Sequence, residues 1–227
     1  MSFLDRLFGK NTTTSKEETV NMTKTKTAIV YYSSGGTNYQ LAQWAAEAAE
    51  AAGSEVRLMK VAETAPQAAI DSSPGWKAHA EATKDVPVAT GEDLEWADAI
   101  IFSVPTRFGN VPGQIQSFID TLGGLWFQGK LANKAVSAMS SAQNPHGGQE
   151  ATILSLYTTM YHWGAIVAAP GFTDAVTFAA GGNPYGTSVT VGQDGKIADD
   201  EAAIKAAVAH QAGRTVKVGT ALKSMNA

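Results

Sequence analysis

The chain has 227 residues, 44% of them hydrophobic and 17% charged, with a net charge of −4 at pH 7. That length suffices for one substantial α/β core, and the mild acidity leaves no electrostatic footprint for nucleic acid or an anionic membrane surface. Cysteine is absent, which excludes disulfides, thiolate catalysis and cysteine-based metal sites, and no apolar run approaches the length a bilayer needs.

Taken in chain order, residues 1–21 read differently from the rest. Phe3, Leu4, Leu7 and Phe8 fall at helical spacing and a polar, threonine-rich stretch follows. A secretory signal would need a longer apolar core and a small-residue cleavage site. The expectation is a flexible tail, or translation upstream of a start near Met22; the alternative is a short amphipathic docking helix. Residues 22–227 are expected to form a single domain. Strand and helix signals alternate from Lys26 onward. Strands are expected at Thr27–Tyr32, Glu55–Lys60, Ala99–Val104, Lys134–Ser140 and Ala165–Ala169. Helices are expected at Asn38–Ala52, Glu92–Trp96, Gly113–Leu122, Gln149–Trp163 and Asp199–Ser224. Between Glu63 and Glu92 the chain reads as loop with a short helix around His79, and Gly171–Gly195 as irregular with a small hairpin around Thr187–Val191. The fold class is α/β: a flavodoxin-like three-layer αβα arrangement with a five-stranded parallel sheet of order 2-1-3-4-5. In such sheets ligands sit beyond the carboxyl ends of the strands, beside the β1/β3 switch point.

The segments following strands one, three and four are the ones with unusual composition. After strand one come Ser33, Ser34, Gly35, Gly36, Thr37 and Asn38, directly before a helix. Strand, tight polar loop and helix N-terminus form an anion site from backbone N–H groups, hydroxyls and the helix dipole. With no lysine or arginine in the loop and no G-x-x-x-x-G-K-[ST] spacing, the phosphate is one held by neutral donors, as in flavin mononucleotide. The alternative is a plain βα turn. After strand three come Thr106, Arg107, Phe108, Gly109 and Asn110 between two prolines. Thr106 and Asn110 offer hydrogen bonds, Phe108 and Arg107 can lie along a planar ring, and Arg107 can stabilise negative charge on a reduced flavin or a quinone oxygen. A rigid turn with a solvated arginine reads equally well from this loop alone. After strand four, Ser141, Ala142, Gln143, Asn144, His146 and Gly147 offer amides and backbone to the pyrimidine edge of a flavin. Gly123–Gly129 sets Trp126 and Phe127 among glycines, which suits a ligand face or a subunit interface. His79 and His210 make no metal-ligand spacing with a partner, so no metal is expected. G-x-S-x-G is absent, so no serine triad is expected either.

The segments P-T-R-F-G-N (105–110), G-G-L-W (123–126), the S-S…G-G-Q-E loop (140–150) and G-G-N-P-Y-G (181–186) resemble, in order, the signature segments of WrbA-type flavodoxin-like NAD(P)H:quinone oxidoreductases. The resemblance runs from about Thr27 to about Lys223. It implies FMN at the three loops, NADH or NADPH as electron donor, a quinone acceptor, and a homotetramer whose subunits complete one another's sites. By position, Ser33 to Asn38 would hold the phosphate, while Thr106 to Phe108 and Ser141 to Gly147 would line the isoalloxazine. His162 matches a family position at the flavin, and Trp126 an aromatic at the substrate face. Two departures stand out. Gly35 occupies a position where many members carry a tyrosine beside the nicotinamide, and the Gln143–His146 run differs from the family's glycine/threonine loop and is one residue longer.

The function expected is two-electron transfer from NAD(P)H to quinones by a ping-pong mechanism. No obligatory protein acid or nucleophile takes part, and Arg107, Trp126 and Gly35 contact the substrates. The rivals are a flavodoxin-type one-electron carrier and an FMN-binding regulatory protein without turnover. A cytoplasmic location is expected, with no nucleic-acid partner and no membrane insertion.

Overall fold

The computed structural model describes residues 23–225, so the expected tail at 1–21 lies outside the described residues. A parallel sheet forms the middle layer: β1 (Lys26–Tyr31), β2 (Glu55–Lys60), β3 (Ala99–Pro105), β4 (Ala135–Ala142) and β5 (Ile166–Val167), in the order β2-β1-β3-β4-β5. β3 is buried at every position, as a central strand covered on both faces must be. Helices α1 (Thr37–Ala51) and α9 (Glu201–Leu222) cover one face, packing Leu41, Ala45, Ile204 and Val208 on Ile29, Ile101 and Met139. The other face carries α4 (Gly91–Trp96), α5 (Gly113–Asp120) and α7 (Gln149–Trp163), with Leu94, Ile115, Leu156 and Tyr157 against Val30, Ile100, Phe102 and Val136.

The expected strand order holds, but its fifth position is filled in two pieces. β5 pairs only with the start of β4, Ala135 opposite Ile166 and Val136 opposite Val167. The chain then leaves the sheet through residues 168–187, which carry the short helix α8 (Ala175–Ala179). It returns as β6 (Ser188–Thr190), parallel to the end of β4. Gly186 marks the return: a Cβ there would run into the Ala138 carbonyl, so only glycine lets the chain pass. Buried Gln211 on α9 secures the same point, donating to Ala138 O and accepting from Thr187 N–H. The stretch expected as a hairpin at Thr187–Val191 is therefore mostly parallel strand. The hairpin comes one step later, with Val191 bridging antiparallel to Ile197.

Two further segments are more ordered than their composition suggests. Between β2 and α4 lie two helices, α2 (Gln67–Asp71) and α3 (Pro74–Ala82), the second opening on a proline in its first turn, where a missing N–H costs nothing. The aromatic glycine-rich segment forms α6 (Gly123–Phe127).

Candidate functional site

The carboxyl ends of β1, β3 and β4 open onto a cleft of about 530 Å³, within the range of small-molecule sites. Its anion end is the loop before α1. Gly36 takes a left-handed conformation (φ 97°), turning the chain into the helix, and its N–H donates to Ser33 Oγ at 2.9 Å. No side chain caps α1, so its first-turn N–H groups are left for a ligand. Asn38 fixes the loop from below. It is 1% exposed, donates from Nδ2 to Ser103 Oγ on β3, and accepts at Oδ1 from Ser141 Oγ on β4 at 2.6 Å. One buried amide thus locks the start of α1 to the ends of both neighbouring strands.

The loop after β3 is a tight hairpin. Arg107 and Asn110 exchange backbone hydrogen bonds, and Phe108 and Gly109 both have positive φ, 54° and 79°, the geometry of a type I′ turn. Phe108 therefore sits in a conformation a bulky residue rarely takes, with its ring wholly exposed. The first turn of α7 buttresses this hairpin. Thr152 Oγ1 and Thr106 Oγ1 lie 2.8 Å apart, and Gly148 packs so closely that a Cβ would come within 2.9 Å of Gly109 Cα. The loop after β4 folds back on itself, Gly147 N–H and Gln149 Nε2 both donating to Asn144 O.

Of the residues singled out in the sequence, Ser33, Ser34, Gly35, Thr37 and Asn38 line the cleft from the first loop, Thr106 and Arg107 from the second, and Ser141, Ala142, Gln143, Asn144 and Gly147 from the third. Arg107 stands at the mouth, donating to Thr106 O at 2.9 Å and to Ser34 Oγ at 3.5 Å. Gly36, Phe108, Gly109 and Asn110 belong to these loops but do not form the wall, and His146 faces a separate cleft with Gln149 and Asp199. Trp126 and His162 lie elsewhere. Both are exposed, and Trp126 Nε1 donates to His162 O at 2.8 Å. His162 lies in the last turn of a 15-residue helix that starts at Gln149 beside the cleft, about 20 Å away along its axis, so neither residue reaches the cleft of its own chain.

The sequence reading missed a fourth wall. Val191, Gly192, Gln193 and Gly195 of the hairpin after β6 close the cleft beside the phosphate loop, and Thr37 Oγ1 reaches Gly195 O at 3.4 Å. The β-branched run T-S-V-T-V before them was the available signal; recognising it as a sheet strand would have carried the next turn to the carboxyl edge. Beyond the mouth, Glu63 accepts from Tyr32, Gln114 and the N–H groups of Thr64 and Ala65. Burial alone would raise its carboxyl, but these bonds together hold it below the usual carboxylate range.

An uncapped helix start, hydroxyls, a glycine open to the cleft and a loop of amides make a donor set for a phosphomonoester carrying a flat heterocycle. Fold and cleft together define a flavodoxin-like protein of the kind that holds a flavin nucleotide at the carboxyl edge of its sheet. The chain belongs to the NADPH-dependent FMN reductase family, whose sequence profile matches residues 26–177. It is 59% identical over 193 residues to a Deinococcus radiodurans protein named NAD(P)H dehydrogenase (quinone), covering 85% of this chain and 96% of that one. An Aromatoleum aromaticum protein of the same name is 41% identical over 175 residues, covering 75% and 84%. A solved structure described as a flavodoxin, WrbA-like protein from Agrobacterium tumefaciens superposes with a TM-score of 0.55 at 19% identity, over 88% of this chain and 99% of that one. The last similarity speaks for the fold.

Proposed function

We propose that this protein is an FMN-dependent NAD(P)H:quinone oxidoreductase of the cytoplasm, working by a ping-pong mechanism as a homotetramer. The observation that carries the reading is the cleft itself: neutral phosphate donors at the α1 end and amide and backbone groups at the β4 end, joined across β3 by the Asn38 clamp. Bound FMN would supply the redox chemistry, accepting a hydride from the nicotinamide and passing two electrons to the quinone. Ser33, Ser34, Thr37 and the first N–H groups of α1 would hold its phosphate. Gln143, Asn144 and Gly147 would meet the edge of its ring. Arg107, at the mouth, would stabilise negative charge on the ring or on a quinone oxygen. Arg107 is the one ionisable side chain among the cleft-lining residues.

The distant placement of Trp126 and His162 supports the tetramer. Exposed Phe127 and Tyr161 flank them, and residues at that edge can wall a cleft only in another copy.

The test adds FMN to purified protein, then NADH or NADPH, then benzoquinone, following the visible spectrum. Bleaching by the nicotinamide and recovery on quinone, with parallel double-reciprocal lines in steady state, is the expected outcome. Stable FMN binding without bleaching by either nicotinamide would point to a protein without this turnover.

A further inference from the structure

The phosphate loop contains no cation of its own, and Arg107 at the cleft mouth is turned to Thr106 O and Ser34 Oγ. Behind the loop, on α3, stands His79. Its Nδ1 lies 3.6 Å from the place a Gly36 Cβ would occupy, so the imidazole backs directly onto the turn that opens α1. The ring packs 5.8 Å from Tyr39 of α1 and, with Tyr31, Ser33 and Lys60, lines a cavity of about 100 Å³. The Tyr31 hydroxyl is buried without a hydrogen-bond partner. Tyr31 and His79 border this same cavity, which has room for a water.

We propose that His79 supplies the positive charge the phosphate loop lacks, taking up a proton as a phosphomonoester settles on the loop. This rests on reading the cleft as an FMN site and adds a proton-linked partner for its phosphate. The titratable groups around the ring are Lys60 from β2, whose ammonium is held by Thr83 O and Lys84 O, and the phenols of Tyr31 and Tyr39. Glu63 and Tyr32 border the same cavity and are bonded to each other. Burial, and after it the Lys60 charge, hold the His79 imidazole below its usual range, which favours the neutral ring. A phosphate dianion favours the protonated ring and raises it again. Linkage makes the two effects equal: the factor by which phosphate raises proton affinity is the factor by which the proton raises phosphate affinity. The gain is absent above the pKa of the bound state and complete below that of the free state.

The experiment measures FMN affinity by flavin fluorescence quenching between pH 8 and 5.5, roughly, in the wild type and His79→Gln, with riboflavin as the probe that lacks the phosphate. The phosphate's own second ionisation, near pH 6, is common to both proteins and cancels in their ratio. The expected result is a wild-type advantage for FMN that grows by roughly tenfold toward low pH, the equivalent of one pKa unit, and a flat ratio for riboflavin. In the wild-type protein, the His79 resonance, assigned by its loss in His79→Gln, should titrate at higher pH with FMN than with riboflavin. That measurement stands even if the variant's stability suffers. Superimposable FMN profiles, or a His79 titration unmoved by FMN, overturn this proposal and leave the FMN site standing. A wild-type chain that takes up riboflavin and FMN equally overturns the phosphate-loop reading and this proposal together.

Discussion

Gly35 is one of the two places where the chain departs from the pattern its resemblance implies, standing where a tyrosine would be expected. It lines the cleft, a Cβ there would meet nothing within 4 Å, and its φ lies outside the left-handed region. A Cβ there therefore adds neither clash nor backbone strain. Gly35→Tyr should lower KM for the nicotinamide by up to roughly tenfold, the worth of one aromatic contact of about 0.5–1.5 kcal/mol. Stopped-flow reduction and FMN titration on the same variant check it, and intact FMN affinity with no gain for NADH would show that Gly35 does not face the nicotinamide. On the proposed reading Ser33 and Thr37 would hold the cofactor's phosphate instead. Ser33 Oγ already holds the Gly36 N–H, so the double replacement by alanine removes a loop bond as well as two phosphate donors. FMN affinity should fall by more than an order of magnitude, each charged hydrogen bond contributing roughly 1.5–3 kcal/mol. Fluorescence titration of the folded double variant that returns the wild-type affinity would reject the loop assignment.

At the scale of elements, the site depends on how closely two loops and one helix start approach each other. Gly148 opens α7 with φ 98°, and a Cβ there would crowd both Gly109 Cα and Thr106 Oγ1. Gly53, after α1, has φ 86° but an open surrounding. Both replacements by alanine should cost about 1–2 kcal/mol for the left-handed backbone. Only Gly148→Ala should also displace the Thr106–Asn110 hairpin and weaken FMN binding. Urea denaturation and FMN titration of the pair separate strain from contact, and equal FMN affinities would remove the hairpin from the site.

For the whole molecule, Tyr157 of α7 ties β4 to the segment that leads back into β6. Its hydroxyl donates to Tyr185 O at 2.7 Å and accepts from Ala138 N–H at 3.1 Å, at 1% exposure. Burial, the largest influence, raises its phenol far above the ordinary value. The sign follows: an unfolded tyrosine ionises near pH 10 while the folded one stays protonated, so the unfolded state binds fewer protons above that pH. Stability should fall there by about 1.4 kcal/mol per pH unit from this group. Tyr157→Phe should cost about 1–3 kcal/mol at neutral pH by leaving Ala138 N–H and Tyr185 O unpaired, yet show a shallower alkaline loss. Denaturation curves at several pH values test both. Assembly belongs to this scale too: if the proposed tetramer forms, FMN should stabilise it by mass action, and sedimentation showing a fully active monomer would overturn that proposal.

Much of this was legible from local chemistry. β-branched runs, helix periodicity and breakers are properties of neighbours in sequence, which is why α7 begins and ends where the pattern places it and why the strand order follows from alternation. The three loops were legible because a phosphate site needs small, polar and glycine residues at a strand-to-helix turn, and composition records that need. What neighbours do not record is distance across the chain. Nothing near Ser188 says that it pairs with Ser140, and nothing near Gln193 says that it faces Ser33; only the sheet, once formed, carries the hairpin at 191–197 to the cleft. Conversely, the resemblance implies Trp126 and His162 as site residues, and the antiparallel run of α7 puts them at the far end of the sheet. The sequence by itself determined which chemistry is present; the tertiary structure decided which of it meets, because a parallel sheet gathers loops from distant segments at one edge and sends the intervening helices to the other.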